Sequence, residues 1–367
     1  MKPRVLQAAL LGLALAVAPM ADAAVAAAAP EATARTAQSG AVKKQAAPGK
    51  VAAAKPAAKK SPAGKKATTT KTRLAAKKSA ASSRLASRAA RKKAAAAADQ
   101  PVELVLDARG LPVLSSAAFY VANQQTGKVL LAKNPDRALP IASITKLMTA
   151  MVVLESKASL SEQLTISAED VDTLKGSGSR LSVGTTLSRE AMLQLALMSS
   201  ENRAASALAR YYPGGRDAFV VAMNIKAMLA GMSDTRFYDS TGLSPGNVSS
   251  PRDLGRLVTA SARYPLIREF STTAERDVDI NGRSMRFHNT NKLVSSPDWE
   301  ISLSKTGYIS EAGRCLVMQA WMQRQPMVIV LMDSTGRYTR LADAQRVRQW
   351  LELQAPHLAG ASLRDQG

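Results

Sequence analysis

Three short motifs carry the chemistry that this sequence could perform. They are Ser143-Ile144-Thr145-Lys146, Ser200-Glu201-Asn202 and Lys305-Thr306-Gly307, in that order along the chain. A serine hydroxyl is a poor nucleophile until a neighbouring base takes its proton. The chain has only two histidines, His288 and His357, so the base must be a lysine. A free lysine titrates near about 10.4, and service as a base near neutrality needs a depression of about 4 kcal/mol. Burial and a second cation, Lys305, both push that way. The set points to acyl transfer through a serine ester. Ser143 is the expected nucleophile, Lys146 the base for acylation and Ser200 a relay for the proton going to the leaving amine. Asn202 is expected to orient Lys146 and to hold substrate amides. Lys305 and Thr306 are expected to bind substrate from a strand edge, and Gly307 to let that strand come close. The backbone amides of Ser143 and Tyr308 would then form an oxyanion hole.

Singly, each motif is weak, because a Ser-x-x-Lys match arises by chance about once in a chain this long. A second match, Ser302 to Lys305, lies in a strand, where positions three apart point to opposite faces. Ser143 and Lys146 instead open a helix, where positions three apart share a face. The bland alternatives are a helix cap at Ser143, a helix-end loop at Ser200–Asn202 and an edge-strand terminus at Lys305–Gly307. Their joint occurrence, in order and on suitable elements, favours the chemical reading.

The elements that must position these residues follow from patterning. Ala118–Ala122 and Val129–Ala132 read as a hairpin around Asn123–Gly127. The run Leu147–Glu155 has helical length, and Ser188 caps a helix over Arg189–Met198 that is apolar nearly all round, hence buried. Ser250-Pro251-Arg252-Asp253 starts another helix. Ile301–Ser304, Cys315–Met322 and Met327–Met332 read as three adjacent strands, the last two joined through Gln323-Arg324-Gln325. Ala342–Leu353 closes with a helix whose inner face holds Ala344, Val347 and Leu351. Strands at both ends with helices between them predict an α/β fold in which the first strands pair with the last.

Composition narrows the class. Of 367 residues, the first 100 hold 20 Lys and Arg against 3 Asp and Glu, and the rest hold 30 against 25. Most of the net charge of +22 therefore lies outside the globular part. The single cysteine, Cys315, excludes an internal disulfide and a cysteine zinc site, and is expected to be an inert buried thiol. Aromatic residues at 4% argue against a base-stacking surface for nucleic acid. No cofactor or metal is expected. Lys2, Arg4, the apolar Val5–Val17 and Ala21-Asp22-Ala23 read as a secretory signal over residues 1–23, an uncleaved anchor being the alternative. Residues 24–100, rich in Ala and Lys, cannot bury enough apolar surface to order and are expected to be disordered. They are either a tether to an anionic wall or membrane surface or a solvated spacer, and export argues against a nucleic-acid partner. The catalytic domain is expected over 101–357, with a short tail at 358–367.

At these motifs the chain resembles the low-molecular-weight penicillin-binding proteins, the serine D-alanyl-D-alanine peptidases, and within them the endopeptidase subgroup. The resemblance rests on Ala142–Leu154 (ASITKLMTAMVVL), Leu195–Ala205 (LALMSSENRAA), Tyr212–Gly215, Thr241–Ser244, Asn289–Asn291 and Gly313–Met318. It spans about residues 110–355. It implies a five-stranded antiparallel sheet flanked by helices, an all-α lobe and a site between them. It also implies cleavage of D-alanyl–diaminopimelyl crosslinks between peptidoglycan stems, and covalent acylation by β-lactams; the signal at 1–23 predicts that this takes place in the periplasm. A D-alanyl-D-alanine carboxypeptidase and a non-hydrolytic β-lactam- or wall-binding protein are the alternatives. No Glu-x-x-x-Asn motif follows Ser200–Asn202 before Lys305, which argues against rapid β-lactam hydrolysis. Glu201 is read as structural, His288 likewise. Arg337 and Arg340 are weaker candidates for a substrate carboxylate, and Gly176–Ser179 for a loop over the site.

Overall fold

A computed structural model describes residues 102–362, with side chains through Gln354. The expected signal at 1–23 and basic segment at 24–100 lie outside the described residues. In chain order the elements are β1 (Ser116–Asn123), β2 (Val129–Lys133), α1 (Thr145–Glu155), α2 (Arg189–Met198), α3 (Asn202–Arg210), α4 (Gly215–Leu229), α5 (Pro251–Ser261) and α6 (Pro265–Thr272). They continue with β3 (Glu275–Ile280), β4 (Arg283–His288), β5 (Glu300–Ile309), β6 (Gly313–Met322), β7 (Gln325–Ser334) and α7 (Thr339–Ser362). Five strands form one antiparallel sheet in the order β2-β1-β7-β6-β5, so the first strands do pair with the last.

Local chemistry explains the elements. Asn123 Oδ1 accepts from the amides of Gln125 and Thr126, which closes the β1–β2 turn. Ser188 and Ser250 cap their helices as expected, accepting from Ala191 N and Asp253 N. The sheet is apolar on both faces. Cys315, Val317, Val328 and Val330 pack toward the helices, and Leu316, Met318, Ile329 and Leu331 toward Ala344, Val347 and Leu351 of α7. α1 is surrounded, and every residue from Thr145 to Val153 is buried.

Three expectations need correction. The strand expected over Ile301–Ser304 runs on to Ile309, because the polar Lys305 and Thr306 find partners inside the protein. The β6–β7 turn is two residues, Gln323 and Arg324, both with positive φ, a geometry that usually selects Asn-Gly. The last helix starts at Thr339 and extends past Leu353 to Ser362.

Candidate active site

Ser143 sits on a 3-10 turn, Ala142–Ile144, that leads directly into α1. Lys146, one turn on, is 1% exposed, and its Nζ lies 2.7 Å from Ser143 Oγ. Two other atoms hold the amine. Nζ donates to Asn202 Oδ1 at 2.8 Å and to the Thr241 carbonyl at 2.6 Å. A neutral amine has two N–H bonds and one lone pair. Asn202 and Thr241 can only accept here, so they occupy both N–H bonds and leave the lone pair facing Ser143 Oγ. Burial lowers the Lys146 amine to about 7, against the opposing pull of Asp239 and Glu201. That depression amounts to roughly 5 kcal/mol and makes a neutral lysine accessible at neutral pH.

The loop that supplies Thr241 is built by one carboxylate. Asp239 Oδ1 accepts from the amides of Thr241 at 2.5 Å and Gly242 at 2.6 Å, and Oδ2 from Ser244 N at 2.7 Å. Gly242 has φ +81°, and a Cβ there would fall 1.9 Å from the Ala142 carbonyl oxygen. Only glycine lets this loop pass beneath the Ser143 turn.

Ser200 lies between α2 and α3 with φ +62°, an uncommon conformation for a non-glycine residue. Its Oγ accepts from Lys305 Nζ at 2.9 Å. Lys305 also donates to the Thr306 carbonyl at 2.8 Å and is 1% exposed. Burial, then the positive charges of Lys146 and Arg340, push its amine well below the ordinary lysine value. Lys305 thus faces Ser200 across the site, rather than standing out at the strand edge. Thr306 Oγ1 donates to Thr290 Oγ1 at 2.7 Å. Gly307 brings β5 against the Ser143 turn, where a Cβ would lie 2.8 Å from the Ile141 carbonyl oxygen and 3.2 Å from Ser143 N. Tyr308 follows on the same edge strand, 57% exposed, with the Arg314 guanidinium 4.4 Å from its ring centroid.

All three motifs therefore converge on one site. The chance match separates, since Ser302 Oγ donates to Gln319 Oε1 at 2.6 Å while Lys305 serves Ser200. Glu201 accepts from Ser179 Oγ at 2.6 Å and lies 3.5 Å from Arg180 Nε, so it braces the neighbouring loop. That loop reaches the site, because Asn202 Nδ2 donates to Ser177 Oγ at 2.9 Å. Asp172 shapes it by accepting from the amides of Leu174, Lys175 and Ser177, and Lys175 pairs with Glu311 at the β5–β6 turn. Cys315 is buried, which raises its thiol to about 11. His288 is exposed beside Glu275, its Nδ1 3.3 Å from the carboxylate. Arg340 is half-buried, and its buried Nε and Nη1 have no partner among the described residues. Sequence reasoning placed Ser177 in a candidate loop over the site and quoted Thr241 and Thr290 only within the resembling segments, and it assigned no contact to any of the three. Thr241 acts through its carbonyl oxygen, which every residue has, although the Asp239-x-Thr241-Gly242 spacing does signal an Asx turn.

Residues 107–336 match the family model described as D-alanyl-D-alanine carboxypeptidase. The chain is 52% identical over 248 residues to the D-alanyl-D-alanine endopeptidase of Pseudomonas aeruginosa, covering 66% of this chain and 80% of that protein. It is 47% identical over 243 residues to the D-alanyl-D-alanine endopeptidase of Escherichia coli, covering 66% and 78%. Among solved structures, the Streptomyces K15 DD-transpeptidase superposes with a TM-score of 0.61 at 28% identity, covering 65% of this chain and 97% of that one. Penicillin-binding protein D2 of Listeria monocytogenes, in its cefotaxime-bound form, gives 0.58 at 27% identity, covering 65% and 97%.

Proposed function

This chain belongs to the D-alanyl-D-alanine carboxypeptidase family, and on that premise we propose that it opens D-alanyl–diaminopimelyl crosslinks in peptidoglycan through an acyl-serine intermediate on Ser143. It is a serine DD-peptidase. One observation carries the mechanism: Lys146 Nζ lies 2.7 Å from Ser143 Oγ with two pure acceptors as its other partners, so the neutral amine keeps its lone pair for Ser143. Lys146 takes the hydroxyl proton as Oγ attacks the D-alanyl carbonyl. Negative charge gathers on the carbonyl oxygen, where the amides of Ser143 and Tyr308 receive it. The C–N bond breaks as Ser200, held by Lys305, gives its proton to the leaving amine and takes up in exchange the one that Lys146 removed from Ser143. Water then attacks the ester, Lys146, neutral again, takes its proton, and that proton passes to Ser143 Oγ as the ester C–O bond breaks. Thr306 and Asn202 align the peptide, and Arg340 gives its unpartnered donors to the carboxylate of the leaving residue.

The endopeptidase reading draws on the endopeptidase relatives, at 52% and 47% identity, against 32% for the carboxypeptidase of Bacillus subtilis. The cefotaxime-bound neighbour supports acylation of this serine by β-lactams. The leader at 1–23 supports export to the periplasm, with 24–100 as a basic spacer or tether, 101–357 as the catalytic domain and 358–367 as its tail. Incubation with purified crosslinked muropeptide dimers and with pentapeptide monomers tests the substrate. Dimers are expected to fall to monomers. Release of D-alanine from monomers alone would make the protein a carboxypeptidase.

A further inference from the structure

A cleft of about 720 Å³ opens beside the site, next to the Lys305–Thr306 step of β5. Thr290, which accepts the Thr306 hydroxyl, forms part of its wall. The cleft therefore adjoins the site through Thr290 and the Thr306 hydroxyl. Its volume falls in the range of about 300–1,000 Å³ usual for ligand pockets. A single terminal alanine would leave most of it empty.

Its charge is one-sided. Lys292, Arg314, Arg337 and Arg340 all line it, and none forms an ion pair among the described residues. Arginines elsewhere, such as Arg210, Arg252 and Arg286, do meet carboxylates. The only acid on the wall, Glu275, is already engaged by Arg286 at 3.6 Å and His288 at 3.3 Å. Arg340 adds a second sign of a missing ligand. Two of its nitrogens are buried without an acceptor, and an unsatisfied buried donor carries a desolvation cost. Unpaired cations facing one concavity repel each other unless an anion enters.

We propose that this cleft is the subsite for the departing stem peptide of a crosslink, and that Lys292, Arg314 and Arg337 bind the carboxylates that stem carries beyond the scissile residue. This rests on the endopeptidase reading and deepens it. The departing half of a crosslink is a diaminopimelyl residue still joined to its own stem, which adds a glutamyl carboxylate and a free C-terminal carboxylate to the one beside the scissile nitrogen. A terminal D-alanine offers one carboxylate, which Arg340 alone can receive. The outer cations thus favour crosslinked over monomeric substrate.

The test uses the full chain and two crosslinked dimers that differ only in the departing stem. One keeps its outer carboxylates and the other has them amidated. The native protein is expected to cleave the carboxylate dimer with about tenfold higher kcat/KM. That preference is expected to shrink to within about twofold in an Arg337→Gln/Lys292→Gln double variant, because the paired charges are gone. Equal cleavage of the two dimers by the native protein would overturn the subsite. Undiminished preference in the double variant would also overturn it. Cleavage of neither dimer would overturn the endopeptidase reading, and the subsite with it.

Discussion

Replacing Lys146 by methionine is expected to slow acylation of Ser143 by benzylpenicillin by roughly 10²–10⁴-fold, the usual contribution of a positioned general base. The sign of the pH dependence follows from the same residue. Burial holds the Lys146 amine at about 7. Below that value the amine is protonated and cannot accept the Ser143 proton, so the native acylation rate falls about tenfold per pH unit. Above it the rate levels off. Lys305 is buried nearby and coupled to it, so the limb belongs to the pair rather than to one residue. In Lys146→Met the limb near 7 is expected to disappear. Lys146→Arg is not expected to rescue, because a guanidinium stays protonated at these pH values. Acylation rates measured from about pH 5 to about pH 9 check this. A Lys146→Met protein with the native rate and the native limb would remove Lys146 from the role of base.

The second large effect is expected at Gly307. A Cβ here would sit 2.8 Å from the Ile141 carbonyl oxygen, a backbone atom that cannot swing aside. Gly307→Val must therefore push β5 away from the nucleophile turn, carrying the Tyr308 amide out of reach of the developing oxyanion. Loss of one such donor costs about 10²–10³-fold in turnover. β5 is the edge strand of the sheet, so relief of the clash disturbs one boundary of the core. A loss of about 1 kcal/mol would lower Tm by about 2–4 °C in a domain of this size. The expected outcome is a folded protein with crippled acylation, read by parallel thermal unfolding and penicillin-binding rates. Gly307→Val with native acylation would show that β5 contributes nothing to the transition state.

The parts of this fold that were legible in the sequence are those governed by local rules. Ser188 and Ser250 announce their helices because capping is a short-range hydrogen bond. β6 and β7 are legible as apolar runs because both faces of the sheet are covered. Sequence patterning places the end of β5 too early because Lys305 and Thr306 look like an exposed terminus. Their partners, Ser200 and Thr290, are brought close only by tertiary folding. The same limit hides Thr241, whose contribution is a backbone oxygen set in place by Asp239. It also hides the contact of Ser177 with Asn202, although the sequence does mark Gly176–Ser179 as a candidate loop over the site. Left-handed turns elsewhere, such as Gln323-Arg324, close loops, but left-handed Ala142 and Ser200 and two buried lysines all lie at Ser143. Such conflicts between local rule and global fold are where functional sites are found.

The central claim is that Ser143 is the nucleophile, activated by a lysine whose lone pair the fold aims at it. The most direct measurement is the mass of the intact protein after brief exposure to benzylpenicillin, followed by peptide mapping. The native protein is expected to gain one penicilloyl group, on the peptide that carries Ser143, and Ser143→Ala to gain none. An adduct on another residue, or an adduct of native stoichiometry on Ser143→Ala, would contradict the account.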